Sequence, residues 1–203
     1  MKKIVQLFVG LWVSVNAFSQ TQTVDLALQG DLLSVEKTPI GYYFKDMYHV
    51  LDPYVGTWVF TDGTTQLKLV LQKKMSNRNN VFFQDMIYGE YQYIENGIEK
   101  VNTLSQLNEN FSDCGFYSIN GNLVVLHDSP LCFGCEVGEK TLATGIIHDE
   151  SESIGRLLLK RIIVNGQPAL QASMGWRLRW KPAGTVLPPN PLPARDFILL
   201  LQP

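Results

Sequence analysis

The sequence predicts an all-β fold, a single antiparallel β-barrel, with a β-sandwich as the alternative. About ten short runs of β-branched, aromatic and alternating apolar residues follow one another along the chain. Turn-forming pairs such as Asp62-Gly63, Asn96-Gly97 and Asn165-Gly166 separate these runs at strand-length intervals. The chain contains no strong helical stretch, which favours a barrel or a sandwich.

The start of the chain has the pattern of a secretory signal peptide over residues 1–19. Lys2 and Lys3 form a basic head, residues 4–15 are apolar, and small residues end the pattern at Ser19. The apolar run is too short to span a bilayer, so we expect no transmembrane span once the peptide is removed. These features predict an exported protein, periplasmic or extracellular.

Charge and motifs exclude several classes of function. Removal of residues 1–19 takes away two lysines and no acids, so the formal net charge falls from −2 to −4. A mildly acidic surface is unsuited to nucleic acid, because phosphate binding needs a basic footprint. The sequence contains no P-loop, no Gly-x-Gly-x-x-Gly and no Gly-x-Ser-x-Gly, so we expect no cofactor and no serine hydrolase site.

Residues 20–54 form an N-terminal segment rich in aromatic residues near its end. Asp46 to Leu51 predicts one or two helical turns, which Pro53 ends. A short helical segment of this kind would cover one end of a barrel.

The barrel domain is predicted over residues 55–203. Its first strand, Val55 to Phe60, contains Gly56, where we expect another part of the chain to lie close to the backbone. The long aromatic segment Val81 to Ile94 contains Gly89, which indicates a bulge or a bend. The remaining predicted strands are Gln66 to Gln72, Ile98 to Leu104, Phe116 to Ile119 paired with Leu123 to Leu126 as a hairpin, Thr141 to Ile147, Ile154 to Val164, Met174 to Lys181 with one buried face, and Phe197 to Leu201, which closes the sheet.

The aromatic segment also supplies the candidate ligand-binding residues Phe83, Tyr88, Tyr91 and Tyr93. Aromatic side chains that line a barrel pocket, with hydroxyl groups to orient a small apolar molecule, would bind such a ligand. The alternative is that these side chains fill an ordinary core.

Three cysteines, Cys114, Cys132 and Cys135, favour a disulfide in an exported protein. The odd number leaves at least one cysteine unpaired or paired between chains. A structural bridge is expected, most simply from Cys114 to Cys132 or Cys135. The alternative is a redox-active Cys-x-x-Cys, whose usual βαβ setting is missing from the sequence.

Other polar residues give weaker indications of chemistry. His127 and His148 each precede acidic residues, but they lack the spacing of zinc ligands, so we predict solvent-facing strand ends and no metal. Asp85, Glu90 and Glu99 are acids among aromatic residues and keep a carboxylate-dependent hydrolase as the least favoured function.

Gly56-Thr57-Trp58 on the first strand, after a short helical segment, resembles the Gly-x-Trp signature of lipocalins. The resemblance implies a lipocalin-like barrel in which Trp58 closes one end and stacks under an arginine from a late strand, Arg177 or Arg179. The whole chain also resembles an uncharacterised group of secreted Bacteroidota proteins with a Gly-Thr-Trp first strand. The expected function is non-catalytic binding of a small apolar ligand, and the alternative is a structural or interaction domain with a filled barrel.

Overall fold

The computed structural model describes residues 22–29, 40–78, 81–132, 134–178 and 184–203. The predicted signal peptide lies outside these residues. In the described residues, eleven strands form one sheet, and eight of them close into an antiparallel barrel in the order β5-β4-β3-β11-β10-β9-β8-β7, with β7 paired back to β5. The strands are β1 (Thr23–Asp25), β2 (Tyr43–Lys45), β3 (Gly56–Asp62), β4 (Thr65–Arg78), β5 (Phe83–Glu95), β6 (Ile98–Asn102), β7 (Ile119–Leu126), β8 (Lys140–His148), β9 (Ser153–Val164), β10 (Gln167–Leu178) and β11 (Asp196–Gln202).

The barrel prediction is therefore confirmed, and the sandwich alternative is wrong. The last strand closes the ring, because β11 pairs with both β10 and β3. Short 3-10 turns accompany the strands at Leu26–Leu28, Asp52–Tyr54, Leu104–Asn108 and Cys114–Phe116. None of the helical segments in the described part of the chain has the length and apolar character needed to cross a bilayer.

The turn residues act as the sequence predicts. Asn96 and Gly97 have φ of 52° and 76°, and Asn165 and Gly166 have φ of 50° and 79°. Positive φ at both central residues is the mark of the tight type I′ hairpin, for which Asn-Gly is the preferred pair. Both hairpins are confirmed.

Gly56 confirms the expected close approach. Its φ is +141°, a backbone conformation that suits only glycine, and a Cβ there would lie 2.7 Å from Cδ1 of Leu201. Glycine therefore lets the closing strand β11 lie against the first barrel strand, β3.

Two local predictions are wrong. Residues 116–126 are not a hairpin: Ile119–Leu126 is one strand, with a register shift between Asn120 and Leu123 where the turn was expected. Gly121 is needed for a close approach, because its Cβ would lie 2.8 Å from Cα of Thr144.

Gly89 is predicted to mark a bulge or a bend, and the bulge is absent at this position. The β4–β5 ladder is regular through Gly89 and shifts between Lys74 and Asn77. Gly89 is required because a Cβ there would lie 2.3 Å from the carbonyl oxygen of Val70.

The barrel interior is filled by side chains rather than open. Alternate residues of each strand point inward, as the pleat requires, and pack into one cluster. Its buried members on the barrel strands are Trp58, Leu67, Leu69, Leu71, Ile87, Tyr91, Tyr93, Ile119, Leu142, Ile146, Leu157, Leu159, Leu170, Ala172, Met174, Phe197 and Leu199.

Both ends of the barrel are covered. Residues 46–54, here called the plug, place buried Leu51 and Tyr54 over one end. At the other end, buried Leu192 from the connector before β11 joins the same core. The helical turn of the plug covers Asp52–Tyr54, so Pro53 lies inside the turn, where its fixed φ and missing N–H are tolerated, instead of ending it.

Candidate binding groove

The four predicted ligand residues do not meet at one cavity. Tyr91 and Tyr93 are buried inside the barrel, where the Tyr91 hydroxyl donates to the carbonyl oxygen of Ile147 at 3.0 Å. Burial also raises the pKa of Tyr91. These two side chains form part of the core.

The other two candidates are only partly buried. Tyr88 packs on Tyr117 with 4.4 Å between ring centroids and donates to the side-chain oxygen of Gln72 at 2.6 Å. Phe83 begins β5 and lies under the guanidinium of Arg78, 5.8 Å from the ring centroid. The ligand-binding role of Phe83, Tyr88, Tyr91 and Tyr93 stays a prediction.

The stacking of Trp58 under Arg177 or Arg179, which the lipocalin resemblance implies, stays a prediction. The Trp58 indole donates to the carbonyl oxygen of Tyr54 at 2.9 Å, which fastens the plug to the barrel. Arg177 is exposed near the far end of β10, and Arg179 lies outside the described residues. Within the described chain, Arg195 lies over the barrel aromatics, 4.6 Å from the ring centroid of Phe197.

Two adjoining hollows at the plug end of the barrel form the candidate site, here called the plug-end groove. Both are lined by Val50 and Lys140, which therefore stand at their junction. One hollow, of about 480 Å³, is bounded mainly by apolar side chains: Leu26, Ala27, Leu123, Val124 and Leu126. The other, of about 510 Å³, lies between the plug and β9 and includes Tyr48, Pro53, Tyr54, Arg161, Ile162 and Ile163.

The walls of this groove carry large apolar side chains that are unusually exposed to solvent. Leu123 and Leu126 on β7 are each 50% exposed, Ile163 on β9 is 65% exposed, and Tyr48 is 78% exposed. Apolar side chains grouped around a hollow mark a binding surface more often than isolated ones do.

A buried ion pair holds the plug that forms the floor of the groove. The Asp46 carboxylate accepts from the backbone N–H groups of Val50 and Leu51 at 2.8 and 3.0 Å and from Nζ of Lys73 at 2.7 Å. Lys73 also reaches Asp52 at 2.6 Å and, as the main cause, lowers the pKa of that carboxyl. The plug is thus tied to β4 by one ammonium group that serves two carboxylates.

Further hydrogen bonds tie the plug to the opposite wall. The Tyr54 hydroxyl donates to the carbonyl oxygen of Lys140 at 3.3 Å, and burial raises the Tyr54 pKa to about 12. The Arg161 guanidinium donates to the carbonyl oxygen of Pro53 at 3.0 Å. The groove therefore has a preformed shape.

The charges in the groove are unbalanced. Glu139 pairs with Lys160 at 2.6 Å, and the hydrogen bond from Lys160 lowers the Glu139 pKa. Lys140 and Arg161, within the described residues, have no carboxylate partner. The groove therefore offers two cations beside apolar walls.

The disulfide links Cys132 to Cys135, and Cys114 is a buried free thiol. The expected bridge from Cys114 is wrong. Cys114 packs with Met86 and Tyr117 in a separate cluster, away from the loop that precedes β8. Burial raises the Cys114 pKa to about 11, so this thiol is unreactive at neutral pH.

A third hollow, of about 330 Å³, lies at the other end of the barrel. Its lining includes Ser118, whose backbone N–H donates to Oε1 of buried Glu90 at 3.0 Å. Desolvation raises the Glu90 pKa, and its Oε2 has no partner among the described residues. The other two hydrolase candidates have hydrogen-bond partners: Asp85 accepts from the Tyr43 hydroxyl at 2.6 Å, and Glu99, which also lines this hollow, accepts from Asn102 at 3.1 Å.

The same hollow contains His148, which was expected to face solvent. His148 is only 4% exposed, and its Nδ1 lies 2.7 Å from the hydroxyl of Ser151. Burial lowers its pKa, which keeps the imidazole neutral at pH 7. In the described segments, no three His, Cys, Asp or Glu side chains converge as metal ligands would.

The groove residues were missed because they come from distant stretches of the chain. Leu26, Val50, Leu126, Lys140 and Ile163 share no motif and no spacing. Barrel closure alone brings them together.

Residues 1–178 match the model of a family of unknown function, DUF6705. That match ends at the last residue of β10, so the closing strand β11 lies beyond it. No curated protein and no solved structure matches the chain.

Proposed function

We propose that this chain, which belongs to the DUF6705 family, is an exported, non-catalytic binding protein for a small apolar molecule. The ligand lies in the plug-end groove and not inside the barrel. A lipocalin-like barrel implies a ligand inside the barrel. We keep a small apolar molecule as the ligand and propose that it lies in the groove.

The observation that carries the proposal is the pair of hollows that meet at Val50 and Lys140. Each has a volume of roughly 500 Å³, within the range of about 300–1,000 Å³ typical of small-molecule sites. Inside the barrel, by contrast, Trp58, Tyr91 and Phe197 are at most 1% exposed and occupy the space that a guest would need.

Two observations support export. The first 19 residues have the signal-peptide pattern. Cys132 and Cys135 form a disulfide, which persists in oxidising compartments and is rare in the cytosol.

The filled interior also favours a second candidate, a structural or interaction domain without a small ligand. In that case the exposed apolar side chains of the groove would contact another macromolecule. Binding of a small probe separates the two functions.

The test uses a neutral, uncharged apolar fluorophore and two matched variants. Leu126 lines the groove and is 50% exposed, whereas Ile98 on β6 is 61% exposed and lies outside it. We expect the wild type and Ile98→Asp to bind the fluorophore with the same affinity, and Leu126→Asp to bind it at least tenfold more weakly. Absence of binding to the folded wild type, or equal binding by both variants, would overturn the proposal.

A further inference from the structure

We infer that the groove selects an amphipathic monoanion, with a carboxylate held at Lys140 and Arg161 and an apolar chain against β7. This inference rests on the proposed function and names the class of ligand. Its basis is the distribution of charge around the apolar walls.

The cations around the groove outnumber the acids. Glu139 is paired with Lys160 at 2.6 Å, and Lys73 is shared by Asp46 and Asp52 at 2.7 and 2.6 Å. Lys140 and Arg161 line the plug-side hollow as two further cations, so among these residues four cations stand against three acids.

The cations of the groove are placed to receive an anion. Lys140 is exposed at the junction of the two hollows, and its carbonyl oxygen is held by the Tyr54 hydroxyl. Arg161 lines the plug-side hollow and uses one nitrogen, Nη1, on the Pro53 carbonyl. A guanidinium carries five N–H donors and stays charged at all accessible pH values, so donors remain for a ligand.

The apolar part of the groove lies on the other side of Lys140. Leu26, Leu123, Val124 and Leu126 line the hollow toward β7. No carboxylate is among the residues that line this hollow. A ligand whose charged head lies at Lys140 and whose hydrocarbon chain extends over these residues satisfies both surfaces at once.

The experiment compares three probes that share one chain: dodecanoate, its methyl ester and dodecyltrimethylammonium, each in competition with the neutral fluorophore. We expect dodecanoate to bind about tenfold more tightly than the ester, the ratio given by one charge-assisted hydrogen bond of about 1.4 kcal/mol. The ammonium probe is expected to bind more weakly than the ester.

Substitutions test which side chains cause the preference for dodecanoate. Lys140→Gln and Arg161→Gln should each remove most of the dodecanoate preference, measured within each variant as the ratio of the affinities for dodecanoate and its ester, so that any change in the groove that affects both probes cancels. Lys140→Glu should reverse the preference in favour of the ammonium probe. Lys100→Gln, a matched control on β6 at the other end of the barrel, should behave as the wild type.

The outcomes separate the two proposals. If the fluorophore binds in the groove and dodecanoate shows no advantage over its ester, the anion inference is overturned and the proposed function stands. If dodecanoate is preferred equally by the wild type and by Lys140→Gln and Arg161→Gln, the inference is also overturned. If no probe binds the folded protein, both proposals fail.

Discussion

Replacing Gly89 by alanine tests whether strands β4 and β5 lie too close together at this position to accept a Cβ atom. A Cβ at this position would lie 2.3 Å from the Val70 carbonyl oxygen and 2.8 Å from Cδ2 of Leu71, whereas real Cβ atoms essentially never approach within 3.0 Å. The nearer obstacle is backbone in the centre of β4, so it cannot rotate away as a side chain would. Overpacking lowers the free energy of unfolding by about 1–3 kcal/mol when neighbouring side chains can move aside. Because the backbone here cannot move aside, we expect Gly89→Ala to lower it by about 3 kcal/mol or more.

Gly175 provides the matched control. It is a glycine within β10 with open space around the position of a Cβ and no positive φ. Alanine there should stabilise the protein by about 0.5–1 kcal/mol, because glycine within a strand is less favourable than alanine by that amount.

Urea unfolding, followed by tryptophan fluorescence, measures the free energy of unfolding of both variants, and thermal unfolding measures their melting temperatures. For a domain of this size each kcal/mol shifts the melting temperature by about 2–4 °C, so Gly89→Ala should melt about 6–12 °C lower and Gly175→Ala slightly higher. A Gly89→Ala protein within 0.5 kcal/mol of the wild type would refute the steric reasoning, as would equal losses in the two variants.

Three further predictions concern buried polar groups. Lys73→Met should destabilise the protein by about 3 kcal/mol, because Asp46, whose side chain is 1% exposed, loses its cation; urea titration checks this, and a loss below about 1 kcal/mol would contradict it. The folded-state pKa of Glu90 is raised above its unfolded value by desolvation, so the folded state holds more protons and this group's stabilisation falls as pH rises from the unfolded pKa through the folded one. The stability of Glu90→Gln relative to the wild type should therefore increase from pH 4 to pH 8, and a difference that is constant with pH would disprove the buried charge. Cys114 is the free cysteine of the described chain, so the native protein should show no thiol that reacts with Ellman's reagent, and the unfolded, unreduced protein should show one.

The strands were readable from the sequence because their causes are local. Alternation in Leu67, Leu69 and Leu71 specifies a strand with one buried face, and Asn-Gly pairs specify tight hairpins, each within a few residues. The same local rules failed at Asn120-Gly121-Asn122, where the composition of a turn belongs to a β-bulge. Only the neighbouring strands β5 and β8 show which of the two forms.

The candidate site could not be read in this way. The aromatic segment of β5 predicted binding residues, but an aromatic residue in a strand can fill a core or line a pocket with the same sequence pattern. Likewise, three cysteines favoured a disulfide, but which two of them pair depends on distance in the fold.

By itself, the sequence determined the fold class, the hairpin turns, the strand that closes the sheet and the need for glycine at position 56, because side-chain period and turn chemistry are properties of short segments. Only the tertiary structure decided that the barrel is filled, that Cys132 bonds to Cys135, and that Lys140 and Arg161 stand beside an apolar groove. These features depend on how the closed ring aligns strands that are far apart in the chain, and no local pattern encodes that alignment.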